Sequence, residues 1–451
     1  MLAQSTYGQT VEFEGACMDI PEKPLDQSIA RARRRLLPFL LFMYVVSVLD
    51  RANIGFAKQA LQNSRGISEG VYALGAGLFF LTYALFEIPS NLIMHKVGAK
   101  IWLSRIMVTW GLISAATMFV TGQTSFCVLR LLLGAAEAGF FPGVILYLTY
   151  WFPQRYRGQI LGLFYFGVPM SFILGSPLSG SLLDLPTTLG IEGWQWMFLV
   201  EGLLAVAGGI GAYWYLDDRP VSARWLPIQE KQALLTELAL EESQRIIHGP
   251  SSSLTSLKDP KVLQFSLIYF LIQAGVYGVI FYLPTEVSSI LGKKAGLEVG
   301  LISAIPWIFA VGATFWLARF ADRFRAHRLL ASTGLIVSGL AILAVPISGP
   351  AIALCALCFA ASGYIAIQPL FWTFPTGYLP GASAAAGIAM INALGNLGGF
   401  VVPNIKVWTE AHFRSHQAGS VALAGITFLG ALLIATMRNR KVGSALLESA
   451  P

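Results

Sequence analysis

Two pairs of opposite charges lie inside otherwise apolar runs: Asp50 beside Arg51, and Arg130 with Glu137. A charge at the centre of a bilayer costs at least about 2.5 to 3.5 kcal/mol on insertion scales, so such residues face a cavity or a partner. Arg130 and Glu137 are seven residues apart, nearly two helical turns, and share a face of any helix that carries both. Loss of water and a neighbouring guanidinium act in opposite senses on a carboxylate's proton affinity. A carboxylate whose arginine is lent to a bound anion can therefore gain and lose a proton in each cycle. That is the chemistry of proton coupling. The alternative for the same residues is a buried ion-pair network that fixes helix packing and binds nothing.

Neutral polar residues occupy other apolar runs: Gln273, Tyr277, Tyr282, Gln368, Trp372, Asn392 and Asn396. Amides and phenols at membrane depth hydrogen-bond hydroxyls, and an indole stacks on a sugar face or an aromatic ring; the competing use is hydrogen bonding between helices. Catalytic chemistry has little support. The five histidines, His95, His248, His327, His412 and His416, fall in loops or at their edges without metal-ligand spacing. Cys355 and Cys358 have CxxC spacing but sit in an apolar stretch, where they read as packing residues. Glu87, Glu201 and Glu286 lie near the ends of apolar runs, where water is expected to reach them.

The elements that position these residues follow from composition. Of 451 residues, 55% are apolar without counting 45 glycines, and 12% are charged. A soluble chain of this length would lack the polar surface to stay in water. Apolar runs begin at Leu36 and recur at about 71–94, 102–121, 126–149, 160–184 and 196–216, then at 263–286, 299–320, 329–348, 351–373, 384–405 and 419–437. Each has roughly the 20 residues that a helix needs to cross about 30 Å of hydrocarbon. The pattern predicts an all-α polytopic membrane protein of twelve spans in two halves. Its segments are an N-terminal arm (1–35), a six-helix bundle (36–216), a polar linker (217–262) with a helix from Pro227 to Arg245, a second bundle (263–437) and a tail (438–451).

The formal charge of +7 is mostly topology. With both termini on one side, that side carries 23 Lys and Arg against 6 on the other. This asymmetry predicts both termini and the linker in the cytoplasm, and it leaves no basic surface to suggest nucleic acid. On the rise per residue, Asp50 lies about 21 Å along its span; Arg130 and Glu137 lie about 6 and 16 Å from the opposite end of theirs. Their depths overlap, which predicts one cluster of two carboxylates and two guanidinia.

The halves repeat. Phe152-Pro153-Gln154-Arg155-Tyr156 after span 4 matches Phe374-Pro375-Thr376-Gly377-Tyr378 after span 10, and basic loops follow spans 2 and 8 at a similar offset. At these offsets Asp50 maps to Tyr277 and Glu137 to Phe359, so proton chemistry is confined to the first half. The stretches LDRANIGFAKQ (49–59), YALGAG (72–77), AAEAGFFPG (135–143), LGSPLSG (174–180), LDDRP (216–220), YGVIFYLPT (277–285) and QPLFWTFPT (368–376) resemble the anion:cation symporter family of the major facilitator superfamily. The resemblance covers about residues 30–440.

That resemblance implies a proton-coupled importer of an organic acid, with the proton as its coupling ion and no cofactor, acting as a monomer in the inner membrane. Asp50 and Glu137 match the family's proton-handling carboxylates, Arg51 and Arg130 its charged residues near the substrate carboxylate. Tyr83, Trp372 and Asn396 are drawn towards the site, beside Tyr277, Gln368 and Asn392. Members that carry rhamnonate are the most similar, which implies a hydroxylated monocarboxylate. Aromatic acids of the 4-hydroxyphenylacetate type and dicarboxylates such as tartrate are the alternatives, and a non-transporting sensor of such acids is a further one. Three departures bear on this. No arginine occurs between Lys261 and Lys293, where some dicarboxylate-handling relatives have one. Val48 stands where a galactonate-transporting relative has tyrosine, and His95 stands in a loop where the superfamily usually has aspartate.

Overall fold

The computed structural model describes residues 22–188, 190–248, 258–324, 326–378 and 381–437. Hydrocarbon offers no partner for backbone N–H and C=O groups, so a spanning segment satisfies them within a helix. The first half consists of α1 (Glu22–Arg65), α2 (Glu69–Val97), α3 (Ala99–Ala116), α4 (Gln123–Glu137), α5 (Phe140–Trp151), α6 (Gln154–Tyr165), α7 (Gly167–Leu183) and α8 (Gly193–Tyr215). The linker holds α9 (Ile228–His248). The second half consists of α10 (Pro260–Leu291), α11 (Leu297–Phe324), α12 (His327–Ala344), α13 (Pro350–Tyr378), α14 (Gly381–Asn396), α15 (Gly398–Phe413) and α16 (His416–Thr436). Among the described residues, eleven stretches are long and apolar enough to cross a membrane. The twelfth expected span is the pair α14 and α15.

Three spans are broken where the sequence pattern predicts one helix. Span 4 stops at Glu137 and resumes at Phe140, because Gly139 adopts a left-handed φ of 87°. A Cβ there would lie 2.3 Å from Ser90 Oγ, so glycine also permits the close approach of α2. Spans 5 and 11 break at Phe166 and Leu397. The first span differs in the other sense. The expected arm is already helical from Glu22, since Leu25, Ser28, Ile29 and Ala32, spaced three and four apart, are buried.

The start of α1 packs against α9, on the side of the bundle termed the linker face below. There the segment after α8 is tied to the first half. Asp218 accepts from Lys100 N at 2.8 Å, and Asp217 from Trp225 Nε1 at 2.8 Å. Trp225 stacks on Trp151, and Arg31 donates twice to Glu230 at 3.0 Å. The halves meet at mid-depth and towards the far face. Phe172 stacks on Trp307 with centroids 3.9 Å apart, and Leu297 N donates to Asp184 Oδ2 at 2.6 Å. Gly180 approaches the carbonyl of Gly296 so closely that a Cβ would lie 2.4 Å from it. Tyr282, read from the sequence with the other polar residues, belongs to this seam: Lys58 lies 4.9 Å and Lys406 4.4 Å from its ring centre.

Candidate functional site

The break in span 4 leaves Glu137 as the last residue of α4, fully buried. Arg51 approaches it from α1: Nη2 is 2.7 Å and Nε 2.8 Å from Glu137 Oε1. Ser47, one helical turn before Arg51, donates to the same oxygen at 2.6 Å. Glu137 Oε2 is buried with no hydrogen-bond partner among the described residues. Arg51 keeps 13% of its side chain exposed, whereas the side chain of Glu137 is sealed.

Arg51 also organises the surrounding rings. Its guanidinium lies 4.8 Å from the centre of Tyr83 and 5.5 Å from that of Phe79. Arg130 lies 5.0 Å from Phe79, so one buried ring faces both guanidinia. The negative face of an aromatic ring favours a cation by about 0.5 to 2 kcal/mol, which partly offsets the burial of two like charges side by side. Tyr83 and Tyr277 both act on Arg51 electrostatically, and Tyr277 comes from the second half.

Asp50 points elsewhere, because consecutive residues of a helix face different directions. Its Oδ1 accepts from Ser114 of α3 and from Asn53 Nδ2 at 3.1 Å, and its Oδ2 is buried and unpartnered. Arg130 is close enough to act on Asp50 electrostatically, yet among the described residues it makes no ion pair. Its Nε is 3.4 Å from Gly75 O, and its Nη2 has no partner. The four charges expected together from depth act on one another, and within the group one pair is closed, Arg51–Glu137, while Asp50 and Arg130 form a looser part.

From the second half, Asn396 Oδ1 accepts from Gln273 Nε2 at 3.3 Å and Tyr277 Oη at 3.2 Å. Asn392 Nδ2 donates to Glu87 Oε1 at 3.2 Å across the interface between the halves. Hydrogen bonding between helices, which the sequence leaves open for these residues, is thus what they make here. Trp372 packs edge-on to Tyr269 with centroids 5.0 Å apart, and Gln368, half-buried, lies one turn before it on α13. Two expectations fail. Glu87 and Glu201 do not face water; each is buried, the first against Asn392 and the second against Ser179. Depth along a helix does not report which neighbour covers it.

Tyr44, which sequence reasoning passed over, is a neighbour of Arg51, Tyr83 and Tyr277, and Tyr165 and Tyr269 adjoin Tyr44 in turn. Ser47 and Asn53 were missed as well, although spacing of three or four residues from Asp50 and Arg51 marks both. The side chain of His95 lies outside the residues described.

The Major Facilitator Superfamily profile matches residues 40–403. The chain belongs to that superfamily. Relatives of this major facilitator protein include the inner membrane transport protein RhmT of Escherichia coli, 45% identical over 93% of this chain and 97% of the relative. A putative tartrate transporter of Agrobacterium vitis is 42% identical over 88% of each chain. The putative metabolite transport protein NicT of Pseudomonas putida is 38% identical over 90% of this chain and 94% of its own. Among solved structures, the partially occluded inward-open xylose transporter XylE of E. coli has a TM-score of 0.72 at 15% identity, covering 92% of this chain and 99% of that one. A bacterial homologue of the lysosomal transporter Spinster has a TM-score of 0.71 at 16% identity over 89% and 96%. This superfamily member is a multi-pass membrane transporter and not an enzyme.

Proposed function

We propose that the protein imports a hydroxylated organic-acid monoanion of the aldonate type together with protons, by alternating access. The observation that carries this reading is the Arg51–Glu137 pair. The arginine side chain keeps a small exposure, its carboxylate partner is sealed, and among the described residues the second carboxylate oxygen has no partner. An incoming carboxylate competes for Arg51, and Glu137 then takes a proton in place of the guanidinium, since an uncompensated buried charge is costly. Asp50 is the second proton site, and Arg130, with an unsatisfied Nη2, the second group for the anion. Tyr83, Tyr277, Asn396, Asn392, Gln368 and Trp372 meet the remainder of the substrate with hydroxyl, amide and indole groups, which suits a chain of hydroxyls.

Organic acids as cargo are supported by the tartrate transporter among the relatives. The absence of arginine between Lys261 and Lys293 favours one carboxylate over two. A monoanion entering with one proton is electroneutral; with two it gains about 2.3 kcal/mol per 100 mV. The excess of Lys and Arg on the linker face, with a relative named as an inner membrane protein, supports a cytoplasmic linker face in the cell inner membrane. The protein acts as a monomer, with the proton as its coupling ion. An aromatic acid is the second reading, favoured by the rings around Arg51: Tyr44, Phe79, Tyr83 and Tyr277.

Uptake into proteoliposomes tests the coupling. Glu137→Gln is expected to abolish accumulation driven by a pH gradient while substrate exchange persists; unimpaired accumulation would remove Glu137 from the mechanism. A thermal-shift screen of aldonates, tartrate and 4-hydroxyphenylacetate decides between the substrate classes.

A further inference from the structure

Glu87 lies on α2, ten residues before its linker-face end at Val97, which is about 15 Å at 1.5 Å per residue. It is 3% exposed. Its Oε1 accepts from Asn392 Nδ2 of α14 at 3.2 Å, and its Oε2 is buried with no partner among the described residues. Arg51 is the cation that acts on it electrostatically, and among the described residues no Lys or Arg forms an ion pair with it.

The register of the surrounding helices locates that oxygen. α2 runs antiparallel to the span formed by α14 and α15. Asn404 Nδ2 donates to Ala73 O at 3.4 Å, a Cβ on Gly77 would lie 2.8 Å from the Phe400 ring, and one on Gly399 would lie 2.6 Å from the Phe80 ring, before Glu87 meets Asn392. Along this seam Tyr83 is one turn from Glu87 and Asn396 one turn from Asn392, both towards the far face. The Tyr83 ring has the Arg51 guanidinium 4.8 Å from its centre. Asn396 accepts from Tyr277, whose ring lies 4.4 Å from that of Phe80. Glu87 is therefore one turn, about 5.4 Å along the helix, to the linker side of the arginine. It stands on the seam between the halves, where repeat-built transporters hold their substrates.

A tie between two helices needs only the oxygen that Asn392 occupies, and a second buried oxygen left unpaired costs free energy. In either protonation state Oε2 has hydrogen-bonding capacity to spare: as a carboxylate oxygen it accepts, and as an acid hydroxyl it donates. An alcohol answers both, because it donates and accepts. We propose that Glu87 contacts the substrate and sets its specificity: with the acid's carboxylate on Arg51, Glu87 Oε2 hydrogen-bonds a hydroxyl further along the carbon chain, while Asn392 steadies Oε1. The inference rests on Arg51 as the anion's partner, as in the proposed function, and is independent of proton coupling. An acid without that hydroxyl leaves Oε2 unpaired inside the closed site. Sites built to hydrogen-bond a hydroxyl reject such an analogue far more strongly than an apolar pocket rejects a misfit.

Titration calorimetry on the full-length protein in detergent, with L-rhamnonate and the analogues lacking each of its hydroxyls in turn, reads the contact as a ratio of affinities. In the parent protein one analogue is expected to bind about tenfold more weakly than rhamnonate, or worse. Glu87→Met, of similar length but without a hydrogen-bonding end, is expected to bring that one ratio within about twofold of unity; Glu87→Gln, which keeps a donor and an acceptor, is expected to hold it at about fivefold or more. A residue that only ties the halves would weaken every ligand alike in Glu87→Met, so ratios left as in the parent overturn the proposal, as does a parent indifferent to every hydroxyl. Should the parent prefer 4-hydroxyphenylacetate or tartrate, the aldonate reading fails, and the same ratio taken against phenylacetate or malate decides the role of Glu87. Should Glu87→Met fail to fold, infrared difference spectra decide. The hydroxylated acid is expected to shift a carboxyl band that Glu87→Gln lacks, and the deoxygenated analogue to leave that band in place; the same shift with both overturns the contact.

Discussion

Arg51 holds Glu137 with two of its nitrogens on one oxygen, and lies 4.8 Å from the Tyr83 ring as it does so. Both features depend on a planar fork. Lysine would supply one point charge on a flexible stem and lose the packing of a planar group on the ring. Arg51→Lys is therefore expected to weaken substrate binding about tenfold or more, equivalent to about 1.4 kcal/mol, in titration calorimetry. An affinity equal to that of the parent would show that Arg51 serves the carboxylate of Glu137 alone. Arg130 has the opposite starting point: among the described residues it has no ion pair to exchange and its Nη2 has no partner. Arg130→Ala is expected to abolish detectable binding in the same measurement, and normal affinity would take it out of the site. All four charges were legible in the sequence, because a charge in an apolar run is conspicuous whatever surrounds it. Their division into a closed pair and a looser part was not, since it turns on Ser47, Asn53 and Ser114, ordinary residues until three helices bring them to particular oxygens.

At the scale of elements, the spans were legible from length and hydropathy, and their interruptions were not. Span 4 reads as one apolar run, yet its geometry at Glu137 comes from Gly139, whose left-handed φ ends α4 where the carboxylate is needed. The start of α3 shows a related dependence on a distant segment. Its N-cap, Gly98, has no side chain to offer, and the exposed N–H of Lys100 is satisfied by Asp218, 118 residues away. A carboxylate there both accepts a hydrogen bond and meets the positive end of the helix. Asp218→Ala is expected to cost about 0.5 to 2 kcal/mol, seen as a lower thermal unfolding midpoint in detergent, with Asp218→Asn recovering part of the loss. An unchanged midpoint would show that water caps α3 equally well. The sequence marked Asp217 and Asp218 as the edge of a polar linker, and nothing in their spacing indicated that the linker is a brace on the first half.

For the whole molecule, the contacts between the halves decide which face is shut. Asp184 at the N-terminus of α11, Gly180 against Gly296 and Tyr282 between Lys58 and Lys406 lie towards the far face, with Phe172 on Trp307 beneath them at mid-depth. Packing this close does not stretch continuously, because a backbone carbonyl at 2.4 Å from a would-be Cβ leaves no slack. It holds or it separates. Rocking of one half against the other would have to open this seam as a unit before Arg51 could meet a substrate from the far side. The test is a reversible lock placed where Leu297 N now meets Asp184 Oδ2. Cysteines replacing both residues are expected to join on oxidation, since the Asp184 side chain already reaches the backbone of Leu297. Oxidised protein is expected to bind substrate offered from the linker face and to transport none, with transport restored by a reductant and each single cysteine variant unaffected by oxidant. Full cross-linking with transport undiminished would mean that the halves need not part at this seam, and would remove the far-face closure from the cycle.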